Sequence, residues 1–232
     1  MADYSDFTVI IPTLNEGENL PELLESIYSS YAGVSVIIAD DGSMDDTSKT
    51  AGKFARLKGP KFLFLDRSNN PVKGLSASII EGIALCKTEF FIVMDGDLQH
   101  PVSTIGQLAS ALKSQDCDVV VASRASVKDW QAQRQLLSLG AATLGKISLA
   151  MRGKQSKCDI LSGFFAMKTQ AFASVSNLRI NPHGYKILFD IIKQLPNGAK
   201  ICSVPYDFGL RAKGQSKIGP KHIAAFLVSL AT

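Results

Sequence analysis

Two carboxylates separated by one glycine follow an apolar run near the middle of the chain. Residues 90–94 are all apolar, and Asp95, Gly96 and Asp97 come directly after them. Such a run predicts a buried strand, and residues two apart on a continuing strand point to the same face. Oxygen ligands grouped in this way suit Mg²⁺ or Mn²⁺ shared with a phosphate group. The alternative is a strand-to-loop junction with two solvated acids, since DxD is a short and common string.

The patterns around this stretch alternate between strand and helix. Strands are predicted at residues 7–11, 34–39, 62–65, 90–94 and 118–123, and helices at about 20–30, 46–57, 74–86 and 102–113. This alternation predicts an α/β fold with a mainly parallel central sheet and helices on both faces. In such a sheet, ligands bind outside the C-terminal ends of the strands. The side chains at these ends are Thr13, Asn15, Glu16, Asp40, Asp41, Asp95, Asp97 and Arg124.

Beyond Arg124 the alternation stops. Residues 130–151 have a helical pattern in which Arg134 and Ser138, four residues apart, lie on one helix face. The pattern fits either a core-facing helix or a basic helix at a lipid interface. A further helix is predicted at 185–193 and a last strand at 201–204.

A basic loop of small residues follows the last predicted strand. Residues 211–217 read RAKGQSK. Cationic side chains and backbone N–H groups can therefore converge there on a diphosphate. A solvated basic loop is the alternative interpretation.

Charge is distributed unevenly along the chain. Residues 1–123 contain 9 Lys and Arg against 17 Asp and Glu, whereas residues 124–232 contain 16 against 4. This asymmetry indicates a first half that handles a cation and a second half that handles anions, such as phosphates, nucleic acid or an acidic membrane surface. The basic residues lack the interleaved aromatics of an RNA-binding sheet, so no nucleic-acid partner is expected.

Several common functional patterns are absent from the sequence. It has no GxGxxG after the first strand, no GxxxxGK[ST] and no GxSxG, which argues against dinucleotide-binding dehydrogenases and P-loop enzymes and leaves no nucleophile elbow. The four cysteines have no CxxC spacing and are expected to be reduced core residues in a cytosolic compartment. The three histidines, His100, His183 and His222, are expected to be packing or surface residues.

The ends of the sequence bear on membrane association. The N-terminus has no basic region followed by an apolar segment, and no run of 18 apolar residues occurs, so neither a secretory signal nor a membrane span is expected within these residues. Residues 223–232 are apolar and have no helix-ending signal. We therefore expect a C-terminal helix at 218–232 beside a membrane, with membrane segments beyond residue 232.

Six motifs occur in an order that resembles a known family. They are IPTLNE at 11–16, ADDGSMDDT at 39–47, MDGDLQHP at 94–101, SGFFAMK at 162–168, GYKI at 184–187 and RAKGQSK at 211–217. Their order is similar to that in family 2 inverting glycosyltransferases of GT-A fold, and within these to the dolichyl-phosphate (polyprenyl-phosphate) mannosyltransferases. The resemblance implies a catalytic domain at 1–217, with a donor and metal half at 1–123 and an acceptor and phosphate half at 124–217.

The resemblance also implies roles for individual residues. The nucleoside part of the donor would be held by Pro12, Thr13, Asn15, Glu16, Asp40 and Asp41. The cation, Mg²⁺ or Mn²⁺, would bind Asp95, Asp97 and Gln99. The donor phosphates would be neutralised by Lys186, Arg211, Ser216 and Lys217. The phosphate of the lipid acceptor would be received by Arg124, Arg134 and Ser138.

The activity implied by the resemblance is metal-dependent, inverting transfer of mannose from GDP-mannose to dolichyl (polyprenyl) phosphate at the cytoplasmic face of a membrane. A UDP-glucose donor with the same acceptor is the first alternative. A phosphatase of the haloacid dehalogenase type is disfavoured, because its DxD follows the first strand. A non-catalytic nucleotide-sugar-binding module is disfavoured by the intact aspartates and basic loop. The sequence departs from the family pattern at Gly96, usually alanine, and at Asp46, commonly glycine.

Overall fold

A mixed sheet of seven strands organises the residues that the structure describes. The structure, a computed structural model, describes residues 2–127, 143–145, 147–150, 158–175, 180–181, 184 and 186–209. The strands are β1 (Phe7–Thr13), β2 (Ser35–Asp40), β3 (Phe62–Asp66), β4 (Phe90–Val93), β5 (Val119–Val127), β6 (Phe165–Lys168) and β7 (Ile201–Phe208). Their order is β3-β2-β1-β4-β6-β5-β7, and all neighbours are parallel except those of β6. The prediction of a mainly parallel sheet is confirmed.

Helices cover both faces of this sheet. They are α1 (Leu20–Ser30), α2 (Thr47–Lys58), α3 (Leu75–Ala84), α4 (Ser103–Ser114), α5 (Thr169–Ala173) and α6 (Ile187–Gln194), and residues 143–145 and 147–150 are also helical. Side chains alternate along each strand, so Val9 and Ile11 of β1 pack with α1, α2 and α4, whereas Ile10 packs with α3 and α6. Both faces of the central strands are therefore buried, as their continuous apolar runs predict.

The insertion of β6 between β4 and β5 was not predicted from the sequence. β6 has only four residues and runs antiparallel to both neighbours, so the strand-helix alternation gives no signal for it. Its first residue, Phe165, pairs with Val93 at the end of β4. Consequently, residues 158–164 come to the sheet edge at which β4 ends.

Three strands, β1, β5 and β7, extend at least two residues further at their C-terminal ends than the sequence pattern indicates. β1 continues through Pro12 to Thr13, because β4 ends opposite Ile10 and Pro12 has a strand neighbour on one side only. A proline without an N–H group is tolerated at such an edge position. β5 continues past its predicted end beside β7, with a bulge between Arg124 and Ser126.

A disulfide joins Cys117 and Cys202, so the prediction of four reduced cysteines is wrong. Their Cα atoms are 6.1 Å apart, within the usual range for disulfides. The two residues are 85 positions apart in the sequence and meet only because β5 and β7 pair. Spacing rules such as CxxC cannot reveal a pair formed in this way. Cys86 and Cys158 are free thiols, as predicted.

Reduction of this disulfide is expected to lower the free energy of unfolding by about 2–4 kcal/mol, since the bond closes a long loop and restricts the unfolded chain. Urea unfolding with and without dithiothreitol measures the difference. Cys202→Ser should reproduce the effect of the reductant, whereas Cys86→Ser, which changes a free thiol, should not. Identical unfolding curves under both conditions would contradict the prediction.

No helix in the part of the chain that the structure describes is both long and apolar enough to cross a bilayer. The apolar residues 223–232 and most of the predicted helix at 130–151 lie outside that part.

Candidate active site

The β4 loop, residues 94–102, carries the two predicted metal-binding carboxylates. β4 ends at Val93, so Asp95 and Asp97 follow its C-terminal end on a loop, and the strand does not continue through them to give both a common face. Their environments differ, because Asp97 is 4% exposed whereas the Asp95 side chain is 39% exposed. The loop turns at Leu98, whose φ of 63° is unfavourable for a bulky side chain. A strained turn thus buries one carboxylate and leaves the other accessible.

Two further segments pack against the β4 loop. A Cβ added at Gly96 would lie 3.5 Å from both Thr13 Cγ2 and Glu16 Cγ, so the end of β1 is in contact with the loop. A Cβ added at Gly163 would lie 3.4 Å from Asp95 Oδ2, so the segment before β6 passes directly beside this carboxylate. β1 and β4 are neighbours at the point where strand order reverses, the position at which open α/β sheets bind ligands.

The end of β7 is joined to the same loop by two hydrogen bonds. Gly209 N donates to the backbone oxygen of Gln99 at 2.9 Å, and Gln99 Nε2 donates to Gly209 O at 3.1 Å. The chain therefore leaves β7 beside the DxD carboxylates. The basic residues 211–217, which follow two positions later, lie outside the described residues.

The β1 loop, residues 14–19, is fastened to the β2 loop, residues 41–46. Asn15 N donates to Ser43 Oγ at 2.7 Å, and Met44 N donates to Asn15 Oδ1 at 2.8 Å. Asn15 has a φ of 53°, a left-handed conformation that asparagine tolerates better than most residues. The predicted role of Asn15 in donor binding thus accompanies a second role, which is to hold these two loops in register.

Asp45 extends this connection. Its Oδ2 accepts a hydrogen bond from Gly17 N at 2.8 Å and its Oδ1 one from Thr47 N at 3.0 Å, while Glu16 N donates to Thr47 Oγ1 at 3.0 Å. Burial tends to raise the pKa of Asp45, but the hydrogen bonds from Thr47 and Gly17 outweigh it and hold the pKa below its ordinary value. Asp45 is therefore an ionised acceptor that joins the two loops, a role that the sequence did not reveal.

Gly17→Ala is expected to disrupt this connection, because a Cβ at residue 17 would lie 2.8 Å from Thr47 N, closer than atoms can pack. We expect a loss of about 1–3 kcal/mol of stability and at least about 10-fold weaker nucleotide binding. Thermal unfolding and titration with GDP measure the two effects.

Gly96→Ala is the matched control, because it adds the same methyl group to the same site. A Cβ there would make only ordinary contacts of 3.5 Å, so the alanine usual in the family also fits this chain. Equal effects of the two substitutions would show that the clash at residue 17 does not matter.

Asp40 is predicted to hold the nucleoside, and the structure shows what its carboxylate already binds. Oδ1 accepts from Thr13 Oγ1 at 2.8 Å and from Ser43 Oγ at 2.5 Å, and Oδ2 accepts from Ser43 N at 2.8 Å and Gly42 N at 3.2 Å. The residue is 2% exposed. Asp40 therefore holds together the ends of β1 and β2, and its predicted role in binding the donor stays a prediction. Pro12 lies at the same end of β1, opposite Ala39.

Asp41 is likewise engaged within the protein. Its Oδ1 pairs with Arg67 Nη1 and its Oδ2 accepts from Gly74 N at 2.8 Å. Arg67 is 1% exposed, and its Nη2 also donates to Glu81 Oε1 at 3.1 Å. Arg67 was not predicted from the sequence. It directly follows β3, so the rule that polar residues at strand ends are candidates could have identified it.

Two of the predicted phosphate-binding cations meet the segment 158–164. Arg124 Nε donates to Asp159 Oδ2 at 2.7 Å, and Lys186 Nζ donates to Leu161 O at 2.8 Å. Since the same segment passes beside Asp95, both cations belong to the same end of the sheet as the carboxylates. The remaining predicted cationic and acceptor residues lie outside the described residues; they are Arg134, Ser138, Arg211, Ser216 and Lys217.

The predicted cation ligands fit an open, oxygen-only site. No group of three or more His, Cys, Asp or Glu side chains that could hold a metal occurs within the described ranges. Two carboxylates with the Gln99 amide oxygen instead suit Mg²⁺ or Mn²⁺, since such ions commonly keep several waters and share phosphate oxygens. Gln99 Nε2 donates a hydrogen bond to Gly209 O, so the amide oxygen of Gln99 is the atom that would bind the cation.

His100 is buried, as a packing residue would be, but it also contacts one of the two aspartates. Its Nε2 lies 3.2 Å from Asp95 Oδ2, and its Nδ1 lies 3.1 Å from the Tyr206 hydroxyl. Neither partner of this histidine could be predicted from the sequence, because Asp95 is five residues away around a turn and Tyr206 is on a distant strand. The contact adds a polar neighbour to the DxD pair.

Comparison with known proteins agrees with this geometry. Residues 8–175 match the family described as Glycosyl transferase family 2. The chain belongs to glycosyl transferase family 2. The resemblance inferred from the six motifs is thus confirmed, and at the level of this family so is the prediction of a glycosyltransferase.

Two curated relatives of this family 2 chain are named dolichol-phosphate mannosyltransferase. It is 36% identical over 226 residues to the dolichol-phosphate mannosyltransferase of Pyrococcus furiosus, with 95% of this chain and 61% of that protein covered. It is 31% identical over 237 residues to the dolichol-phosphate mannosyltransferase of Mycosarcoma maydis, with 96% of this chain and 77% of that protein covered. The chain thus spans about three fifths of the length of the Pyrococcus relative.

Solved structures support the GT-A fold of this family 2 chain. Glucosyl-3-phosphoglycerate synthase from Mycobacterium tuberculosis, in complex with Mn²⁺, UDP-glucose and glycerol 3-phosphate, matches with a TM-score of 0.67 and 21% identity. The match covers 97% of this chain and 80% of that one. At this identity the likeness concerns the fold, and the predicted fold class is confirmed.

Proposed function

We propose that this family 2 glycosyltransferase transfers mannose from GDP-mannose to a dolichyl or other polyprenyl phosphate, with inversion at the anomeric carbon and with Mg²⁺ or Mn²⁺. The observation that carries the proposal is the identity of 36% and 31% to two proteins named dolichol-phosphate mannosyltransferase, over 95% and 96% of this chain. The products are the lipid-phosphate mannose and GDP.

The charges around the β4 loop agree with a donor diphosphate at this position. Asp95, Asp97 and Gln99 would hold the cation, and Arg124 and Lys186 supply positive charge at the same end of the sheet. When bound, the cation would stabilise the negative charge that develops on the leaving diphosphate. The buried Asp97 favours a strong interaction, because electrostatic attraction increases where water is excluded.

The proposed acceptor explains the lack of an obvious general base among these residues. A lipid phosphate is already an anionic nucleophile, so the protein has to position it rather than remove a proton. Arg124 is suited to this task, since Asp159 fixes its guanidinium through a 2.7 Å hydrogen bond. A guanidinium held in one orientation can bind two phosphate oxygens with little loss of conformational entropy.

A lipid acceptor requires contact with a membrane surface. In the helical residues 143–145 and 147–150, Leu144 and Ile147 are 48% and 51% exposed, whereas Leu149 is buried. Of the two interpretations of this helix, exposed apolar side chains favour the lipid interface over a core-facing role. We propose peripheral association with the cytoplasmic face of a membrane.

A UDP-glucose donor is the second candidate. It is favoured by the structural neighbour with a TM-score of 0.67, which was solved with UDP-glucose and Mn²⁺. The mannosyltransferase relatives are more similar in sequence, at 36% identity against 21% for this neighbour, so we give precedence to GDP-mannose.

The direct test is transfer of labelled sugar to a short polyprenyl phosphate, with GDP-mannose and UDP-glucose compared side by side. Each donor is assayed with Mg²⁺, with Mn²⁺ and with a chelator, and the product anomer is determined by NMR. Mannosyl lipid of inverted configuration, formed only with a divalent cation, is the expected result.

Each part of the proposal has its own contradicting outcome. Glucosyl lipid from UDP-glucose alone would replace the donor assignment. Full activity in the presence of the chelator would contradict the requirement for a divalent cation. Lipid product from neither donor would remove the phosphate-acceptor assignment of Arg124 and of the two predicted acceptor residues, Arg134 and Ser138.

A further inference from the structure

His100 lies in an aromatic pocket directly beside Asp95. The residue is 3% exposed, and the centroid of its ring is 4.8 Å from that of Phe164, 5.5 Å from Phe208 and 5.7 Å from Tyr206. An aliphatic side chain would fill such a pocket without burying polar atoms, which is costly unless they are hydrogen-bonded. The imidazole therefore requires an explanation beyond packing.

Both ring nitrogens of His100 have polar partners, and the chemistry of these partners indicates which atom donates each hydrogen bond. Burial raises the pKa of Tyr206, so its phenol keeps its proton at neutral pH. The hydroxyl can then donate to Nδ1, 3.1 Å away, which leaves Nε2–H to donate to Asp95 Oδ2 at 3.2 Å. The result is a chain from the Tyr206 hydroxyl through the His100 ring to the Asp95 carboxylate.

We propose that His100, oriented by Tyr206, is a positioning residue that fixes the Asp95 carboxylate for binding of the divalent cation. The inference rests on the proposed function, in which Asp95 is a cation ligand. Asp95 lies on a loop and its side chain is 39% exposed, so without a partner it would lose rotamer freedom when it binds a cation. A hydrogen bond from a rigidly packed imidazole removes part of that loss in advance.

The proposal separates the roles of the two carboxylates. Asp97 is buried and accepts a hydrogen bond from Gln99 N within its own loop. Asp95 instead receives its orientation from β7, because Tyr206 is a β7 residue. The strand that leads to the basic residues 211–217 would thus also set the position of a cation ligand.

The test is direct measurement of Mn²⁺ binding to the intact protein in the presence of GDP, from the EPR signal of free Mn²⁺. His100→Leu removes both ring nitrogens and is expected to weaken Mn²⁺ binding about 10- to 100-fold, as loss of a partner of a metal ligand commonly does. Tyr206→Phe removes only the hydroxyl and is expected to weaken binding several-fold. His100→Gln, which restores an N–H donor, should recover part of the affinity lost in His100→Leu.

Tyr31→Phe is the matched control for Tyr206→Phe. Both tyrosines are 6% exposed, and the Tyr31 hydroxyl also makes two hydrogen bonds, to Val102 O at 2.7 Å and from Gly106 N at 3.1 Å. Neither bond of Tyr31 leads to Asp95. We expect Tyr31→Phe to lower the melting temperature by a similar amount and to leave Mn²⁺ affinity unchanged.

A double substitution distinguishes positioning from general loosening of the pocket. If Tyr206 acts only through His100, His100→Leu with Tyr206→Phe should bind Mn²⁺ as weakly as His100→Leu alone. Additive losses, or equal Mn²⁺ affinity in wild type and all variants, would overturn the inference and leave the proposed transfer reaction standing. A wild-type protein that binds no Mn²⁺ with GDP would overturn the inference and the assignment of the DxD carboxylates as Mn²⁺ ligands, whereas the transfer assay tests the reaction itself.

Discussion

Replacement of Asp97 by alanine is expected to lower the rate of sugar transfer at least about 100-fold, equivalent to about 2.7 kcal/mol of transition-state stabilisation. The side chain is 4% exposed at the C-terminal end of β4, where the proposed cation would meet the leaving diphosphate. Loss of this carboxylate removes a cation ligand from a region with little water, where no other charge substitutes for it easily. Steady-state transfer assays at saturating Mn²⁺ measure the effect.

The fold of the Asp97→Ala variant is expected to remain intact, since removal of a buried carboxylate also removes a desolvation cost. Circular dichroism and thermal unfolding check this point. Asp46→Ala is the control, because Asp46 is an exposed acid of the β2 loop that pairs only weakly with Lys49 at 3.6 Å. Retention of more than a tenth of the wild-type rate by Asp97→Ala at saturating metal would exclude the cation-ligand assignment.

Local patterns were sufficient to predict the parallel part of the fold. The runs that became β1, β2, β3 and β4 are mostly apolar and each is followed by polar residues, so their strand character follows from composition, and so does the burial of β1, β2 and β4. The rule that ligands bind at the C-terminal ends then selected Thr13, Asp40 and Asp95. The structure brings these residues to one end of the sheet, as predicted.

The features that the sequence did not reveal all depend on distant pairing. β6 is too short for a periodic signal. Its place in the sheet is set by antiparallel pairing with β4 on one edge and β5 on the other. Cys117 and Cys202 meet because β5 and β7 pair. His100 gains its partner Tyr206 from a strand 106 positions away.

The polar residues at the strand ends also prove to have structural partners that a sequence cannot show. Asp40 and Asp41 were selected as donor-binding residues, yet both carboxylates accept hydrogen bonds from the protein on each oxygen. The strand ends therefore have two kinds of acid, those that hold the loops and those that we propose as ligands of the cation. The rule that identifies strand ends cannot separate them, because the distinction lies in the neighbouring loops.

Arg67→Met is expected to lower the free energy of unfolding by about 3–5 kcal/mol, because it leaves the part-buried carboxylate of Asp41 without its charged partner. The arginine side chain is fully buried and pairs with Asp41, which is 12% exposed, and with Glu81. Its Nη1 donates to Ser78 Oγ at 2.7 Å and its Nη2 to Val72 O at 2.6 Å. Denaturant unfolding measures the loss, and the exposed Arg56→Met is the control for removal of a positive charge.

A second substitution shows whether charge or packing causes the loss. If an uncompensated carboxylate is responsible, Arg67→Met combined with Asp41→Asn should be more stable than Arg67→Met alone, because the amide leaves no charge to desolvate. If lost packing is responsible, the second substitution should add to the first. Recovery in the double variant would mean that the broken ion pair with Arg67, rather than lost packing, causes the loss of stability. Asp41 would then help to hold the β2 loop through Arg67, and its effect on the proposed donor site would come through the position of that loop.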